Sequence, residues 1–304
     1  MIVVLSGGVG AARLLRVLRR AAPSESITAI VNVGDDLVLH GLTICPDLDT
    51  ITYTLGNLAN DETGWGRREE SWRVMDELES LGGQTWFRLG DRDLATHLFR
   101  SQRLAEGATK TDVTHELAAR WDLGVRLLPV SDDPVSTRLD TEIGSLSFQE
   151  YFVRQRHDVT VHGVDFVGAD LARPTAAVVE ALRDATRVVI APSNPVVSIG
   201  PILAVAGVRD LVARRRHDVV AVSPLVAGRA LKGPADRLLR ELGFGTGQLA
   251  VARAYRGLLG RLVIDESDAA EAPSLRANGL DVTVTTTVMG HDDADAALAE
   301  AVLS

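Results

Sequence analysis

Apolar and polar positions alternate along this chain in two rhythms. Short runs of consecutive aliphatic residues suit strands buried on both faces, and between them apolar residues recur every three or four positions, as in an amphipathic helix. The first run, Ile2-Val3-Val4-Leu5, feeds Ser6-Gly7-Gly8-Val9-Gly10 and then Arg13-Leu14-Leu15-Arg16-Val17-Leu18. Strand, glycine loop and helix are predicted in that order. Ile27-Thr28-Ala29-Ile30-Val31-Asn32-Val33 is a second buried-type strand, ending at Gly34-Asp35-Asp36, and it completes a βαβ unit. Pro46 and Asp47 mark the entry to a helical pattern through Ile51, Leu55 and Leu58, which puts Asp49 in its first turn.

From about residue 60 to 124 the strand rhythm stops, and helical spacing predicts helices over 69–81, 93–106 and 111–121. The segments 125–130, 137–148 and 159–167 read as extended, with a hairpin turn at Gly144-Ser145. Alternation resumes at 175: helix 175–185, strand 187–191, helices within 198–214, strand 218–223, helices 234–243 and 248–259, strand 261–265, then a closing helix, strand and helix. The expected fold class is α/β. Residues 1–59 and 125–304 form a doubly wound, Rossmann-like parallel sheet, and the mostly helical insertion 60–124 caps its ligand edge.

Composition narrows the function. The balance of 46% hydrophobic and 24% charged residues is that of a globular chain. A net charge of −9 argues against nucleic acid or an anionic membrane surface as partner. The single cysteine, Cys45, excludes an intrachain disulfide and reads as a small buried hydrophobe. The N-terminal apolar run is too short, and lacks the basic flank, for a signal peptide; no apolar stretch reaches the ~20 residues of a membrane span. A cytoplasmic location is expected.

The candidate chemistry lies at the predicted strand ends. A loop with Gly7, Gly8 and Gly10 at the start of a helix lets backbone N–H groups approach a phosphate, favoured by the helix dipole. It is not a Walker loop, because Ala11-Ala12-Arg13 stand where that pattern requires otherwise. It is a poor dinucleotide fingerprint, because Gly8 and Gly10 are followed by Arg13 at the third position. Asp35, Asp36, Asp47 and Asp49 fall on the same edge, and carboxylates beside a phosphate require a cation between them. Magnesium held by Asp35 and Asp49 fits that need. Asp47 also reads as a helix N-cap, and so does Asp93 in the run Arg88-Leu89-Gly90-Asp91-Arg92-Asp93. The rigid strand exit Ser193-Asn194-Pro195 can offer amide and hydroxyl groups to a nucleotide.

Taken together, Ser6-Gly7-Gly8-Val9-Gly10, Gly34-Asp35-Asp36, Pro46-Asp47-Leu48-Asp49-Thr50, Gly90-Asp91-Arg92-Asp93-Leu94-Ala95-Thr96-His97, Ser131-Asp132-Asp133-Pro134-Val135-Ser136-Thr137 and Ser193-Asn194-Pro195 resemble the 2-phospho-L-lactate transferase family of coenzyme F-420 biosynthesis. The resemblance implies transfer of a phosphoenolpyruvyl or 2-phospholactyl group from a guanosine diphosphate-linked donor to the ribityl hydroxyl of the deazaflavin Fo, with release of GMP. It further implies magnesium as cofactor, a homodimer, nucleotide at the glycine loop, and contact of Asp49 and Arg88 with the deazaflavin. Asp49 is the expected catalytic residue. Phosphoryl-type transfer is mainly positioning and charge stabilisation, so no covalent nucleophile is required. The alternative class is a nucleotide-sugar-binding regulator similar to gluconeogenesis factors, whose glycine- and serine-rich stretch after the paired aspartates is replaced here by Leu37-Val38-Leu39-His40-Gly41.

Overall fold

The computed structural model describes residues 1–22, 26–60 and 64–304; residues 61–63 of the predicted insertion lie outside the described residues. β1 (Ile2–Ser6) leads through the glycine loop into α1 (Gly8–Ala21) and returns as β2 (Ile27–Val31). A short hairpin, β3 (Leu37–Leu39) and β4 (Leu42–Ile44), precedes α2 (Pro46–Leu55). Three helices follow, α3 (Arg73–Ser80), α4 (Asp91–Ala105) and α5 (Lys110–Ala119), and the chain rejoins the sheet at β5 (Arg126–Pro129).

β6 (Ser136–Thr141), β7 (Gly144–Ser147) and β8 (Val161–Val167) form a separate antiparallel sheet in the order β7-β6-β8. Then come α6 (Ala176–Asp184), β9 (Arg187–Ile190), α7 (Gly200–Ala204), α8 (Val208–Ala213) and β10 (Val219–Val222). A two-strand ribbon, β11 (Leu225–Val226) and β12 (Arg229–Ala230), leads to α9 (Ala235–Glu241) and α10 (Gly247–Ala254). β13 (Arg261–Asp265), α11 (Ala272–Ala277), β14 (Asp281–Thr285) and α12 (Asp292–Leu303) close the chain.

The main sheet has seven strands, all parallel, in the order β14-β13-β10-β9-β1-β2-β5. From β1 the chain winds outward through β2 to β5, then crosses to β9 on the other side of β1. The strand order therefore reverses between β1 and β9, and the crevice at their C-terminal ends is where doubly wound sheets bind ligands.

Successive strand residues point to opposite faces, so each strand feeds two cores. Val3, Leu5, Ile30 and Ile190 belong to the larger core under α6 to α11. Ile2, Val4, Ala29 and Val31 belong to the core under α1, α2 and α12. A third, smaller core joins the β3–β4 hairpin to α3 and α4 through Ile44, Met75, Leu89 and Leu94. This small core holds the helical segment over the C-terminal edge of β1 and β2.

The hairpin is an element that apolar spacing does not announce. His40 and Gly41 both have positive φ, 54° and 76°, the pairing that a tight two-residue turn between twisted strands requires.

Candidate active site

The glycine loop and the strand exit after β9 are bound to each other. Ser193 Oγ donates to the Gly7 carbonyl (2.6 Å) and accepts from the Gly7 amide (3.3 Å). A Cβ on Gly10 would overlap the Pro192 carbonyl oxygen, and one on Gly7 would lie 2.7 Å from Ser198 Cβ. The close approach that Gly7 and Gly10 permit is therefore first an approach of one loop to the other, across the crevice between β1 and β9. Gly8 is different. It has φ of +68°, and a Cβ there would meet only the Asp47 carboxylate, 3.3 Å away. Asn194 Oδ1 accepts from the amides of Val196 (2.9 Å) and Val197 (3.3 Å), and Pro195 starts the following turn. The predicted nucleotide residues Gly7, Gly8, Gly10, Ser193, Asn194 and Pro195 thus form one continuous lip, with the Ser193 and Asn194 side chains engaged in building it.

Facing this lip is the first turn of α2. Cys45 precedes the helix, Pro46 is its first residue, and Asp47 and Asp49 both lie in the first turn. Asp47 is a helical residue and not the N-cap that its position also suggested. Its Oδ2 accepts from Asn32 Nδ2 at 2.9 Å, while Asn32 Oδ1 accepts the Gly34 amide at 2.8 Å, so one amide side chain ties the end of β2 to α2.

Each acidic residue on this edge has a different neighbour. Asp36 is paired with Lys110, the first residue of α5. Asp49 is held by both guanidinium nitrogens of Arg100 from α4: Nη1 donates to Oδ2 at 3.1 Å and Nη2 to Oδ1. Arg100 is itself buried; burial would weaken its hold on the proton, but the Asp49 charge outweighs that and keeps it a cation. His97 Nδ1 lies 3.2 Å from Arg100 Nη1 and 3.7 Å from Asp49 Oδ2, and its Nε2 lies 3.3 Å from Asp93 Oδ1. Asp93 Oδ1 accepts from the Tyr53 hydroxyl at 2.6 Å. Burial raises the Asp93 pKa, yet the contacts with His97 and Tyr53 prevail and hold it below the ordinary carboxylate value.

These contacts make a polar ladder between two helices. Asp49 and Tyr53 stand one turn apart on α2, and Asp93, His97 and Arg100 recur at i, i+4 and i+7 on α4, which puts each set on one face. Asp93 is inside α4, whose N-cap is Gly90, so its side chain serves the ladder and not the helix end.

Asp35 and Asp47 have no such cation among the described residues. Asp35 is buried and its Oδ1 has no hydrogen-bond partner. Burial, then the Asp47 charge, push the Asp35 carboxyl well above the usual range. Burial pushes Asp47 to about 7, against the hydrogen bonds from Asn32 and the Gly8 amide. The fold therefore gathers the four acidic residues as expected but divides them into two kinds: Asp36 and Asp49 are neutralised by protein cations, and Asp35 and Asp47 are not. Asp35 and Asp49, the expected magnesium pair, fall on different sides of that division. No group of three His, Cys, Asp or Glu side chains converges as a ready metal cage among the described residues.

Arg88 takes no part in this ladder. Its guanidinium is 4.6 Å above the Trp72 ring and 3.9 Å from Asp76, and the side chain is half exposed. Trp72 in turn meets Trp65 edge-on, with ring centroids 6.0 Å apart. Trp65 borders a narrow crevice of about 20 Å³ between α1 and α2; a separate, wider hollow of about 400 Å³ lies beside it, lined by Arg16, Asn57 and Arg68.

The family model described as 2-phospho-L-lactate transferase CofD matches residues 2–295. The chain belongs to this family. It is 46% identical to the phosphoenolpyruvate transferase of Streptomyces griseus over 99% of this chain and 97% of the relative. It is 48% identical to that of Thermobifida fusca over 88% and 87%, and 43% identical to that of Mycolicibacterium smegmatis over 93% of each. Among solved structures, a UPF0052 family member from Bacillus halodurans shares the fold, with TM-score 0.66 and 18% identity over 100% of this chain and 98% of that one. The protein is thus an enzyme, a transferase of the 2-phospho-L-lactate type, on an α/β sheet. No helix among the described residues is long and apolar enough to cross a membrane.

Proposed function

We propose that this transferase moves a phosphoenolpyruvyl group from a guanosine diphosphate-linked donor to the ribityl hydroxyl of Fo in coenzyme F-420 biosynthesis. The ribityl oxygen bonds to the phosphorus that carries the enolpyruvyl group, the hydroxyl proton leaves, and the bond to GMP breaks. The names of the similar proteins favour enolpyruvate over lactate as the donor acid. The observation that carries the reading is the first turn of α2. It faces the glycine lip of the β1–β9 crevice, where the Asp47 carboxylate lies against Gly7 and Gly8. In this reading the donor diphosphate lies against that lip, and the acceptor hydroxyl reaches it at the turn that carries Asp47 and Asp49.

Because both oxygens of Asp49 face Arg100, Asp49 acts here by holding the acceptor hydroxyl in place and not as a free base. The orphaned Asp35 oxygen and the uncompensated Asp35–Asp47 pair fit a divalent cation better than the Asp35–Asp49 pair does. Magnesium held there would screen the donor diphosphate from the carboxylates and stabilise charge on the transferred phosphate. The positive end of α1, which begins at Gly8, favours negative charge there as well. The α3–α4 segment, latched to α2 by the ladder, limits water at the site, since water would compete with the ribityl hydroxyl. The reading also takes the protein to be a cytoplasmic homodimer.

Incubation with Fo, magnesium and either the enolpyruvyl or the lactyl donor, followed by mass spectrometry, tests the reading. The enolpyruvyl phosphodiester of Fo should accumulate with equimolar GMP. Donor consumption without a deazaflavin product would reject it.

A further inference from the structure

Asp49 is only as well oriented as the guanidinium that grips it. Arg100 is planar and carries hydrogens on every side-chain nitrogen, so it imposes its own plane on the carboxylate, and that plane has to be fixed by acceptors other than Asp49. Nη1 has two within reach: the Thr43 carbonyl on β4, at 3.4 Å, and His97 Nδ1, at 3.2 Å and one turn back along α4. An imidazole nitrogen accepts from a guanidinium only through its lone pair, because a proton there would face a donor that is always protonated. The contact at Nδ1 therefore puts the ring proton on Nε2. That nitrogen is buried with no aligned hydrogen bond among the described residues, and the charge beside it is Asp93, whose Oδ1 lies 3.3 Å away. The Tyr53 hydroxyl fixes Asp93 in turn by donating to the same oxygen at 2.6 Å. From His97 Nδ1 to Asp49 Oδ2 the distance is 3.7 Å, too long for a hydrogen bond, so His97 reaches Asp49 through Arg100.

We propose that His97 is a positioning residue for the transfer: Asp93 keeps its proton on Nε2, and the bare Nδ1 sets the plane of Arg100, whose fork presents Asp49 to the acceptor hydroxyl. The role rests on the proposed use of Asp49 towards that hydroxyl. Each carboxylate oxygen has a second lone pair, so a carboxylate held in the fork can still accept from a hydroxyl, in a direction that the fork dictates. A tilt of the guanidinium would turn that direction away from the donor phosphorus without removing any charge from the site.

Two substitutions divide the imidazole between them. His97→Asn keeps an acceptor where Nδ1 stands and gives up the reach to Asp93, whereas His97→Gln keeps a donor where Nε2 stands and gives up the acceptor for Arg100. With Fo and the enolpyruvyl donor, His97→Gln should lower kcat on the order of a hundredfold, the usual cost of misplacing a reacting group by about 1 Å, with the donor KM near the parent's. His97→Asn should retain most of the parent kcat. A residue that only filled space would rank the two variants by their urea midpoints; equal rates, or a faster Gln variant, would overturn the proposal. Nitrogen-15 NMR of the histidine-labelled parent reads the tautomer without turnover, the His97 signals being identified by their loss in His97→Asn. A protonated Nε2 and a bare Nδ1 are expected at neutral pH. A proton on Nδ1, alone or together with one on Nε2, would overturn the proposal whatever the rates. Failure of the parent to convert Fo would reject the acceptor, and the nitrogen spectrum would still decide the arrangement of His97 and Arg100.

Discussion

Arg100 and Asp49 show how a single residue can matter through its partner. Both are buried, and removing one leaves the other charged with nothing to oppose it, which costs about 3–5 kcal/mol in typical proteins. Arg100→Met should therefore lower the thermal midpoint strongly and abolish turnover. The double variant Asp49→Asn/Arg100→Met should recover much of the stability and none of the turnover; calorimetry and a transfer assay on the three proteins would check this, and equal midpoints for the single and double variants would mean that the pair does not hold charge. The opposite sign is expected at Asp47, where a buried carboxylate lies beside Asp35 with no cation. Asp47→Asn should raise the melting temperature of the metal-free protein while lowering turnover, measured side by side in chelator and in magnesium. Gly10→Ala tests a third kind of residue: its methyl group would meet backbone at Pro192, and overpacking of that kind costs about 1–3 kcal/mol. A denaturation midpoint within error of the parent would show that the two loops can separate freely.

At the scale of elements, the ladder between α2 and α4 decides whether the helical segment stays seated over the sheet edge. Asp93 is its pH-sensitive rung. Because its folded pKa is depressed, the stability it contributes is fully present above the ordinary carboxylate value, about 3.9, and is lost as pH falls through its lower folded value. Parent and Asp93→Asn should differ in urea midpoint at pH 6 and converge in strong acid; a constant difference down to the lowest pH would remove Asp93 from the linkage. The elements themselves were largely legible in the sequence, because strands buried on both faces read as unbroken aliphatic runs and the intervening helices keep their period. The spacing that predicts helices over 93–106 and 111–121 corresponds to α4 and α5, whose ends differ by one or two residues. The first of the three begins later than its pattern, at Arg73, after a loop in which Trp72 and Trp65 meet. The β3–β4 hairpin escaped because its one outward apolar residue, Val38, breaks the alternation, and the telling signal was the His40-Gly41 turn. The ladder was written in the sequence as Asp93, His97 and Arg100 at helical spacing, but a polar stripe is ordinarily a solvated face; only the partner stripe on α2 shows it to be buried.

Over the whole molecule, function follows from where the strand order reverses. The crevice between β1 and β9 collects the glycine loop and the Ser193 loop, and the outward winding through β2 brings Asp35, Asp36 and α2 alongside. That gathering could be read from the sequence, since all of these residues end strands or begin helices on one edge. The pairing of charges could not: Arg100 and Lys110 reach their acids across 51 and 74 residues of chain. Tertiary packing thus determines which carboxylates are left for a cation, and magnesium should raise the melting temperature of the parent but not that of Asp35→Asn. The central claim, that this chain transfers a substituted phosphate from a guanosine diphosphate-linked donor to the deazaflavin, is tested most directly by phosphorus NMR of one reaction mixture containing the enolpyruvyl donor, Fo, magnesium and enzyme. The account predicts that the two coupled diphosphate signals of the donor decay together into one uncoupled phosphodiester and the phosphomonoester of GMP. Persistence of the coupled signals, or their conversion to GDP or to free phosphoenolpyruvate and GMP, would contradict it.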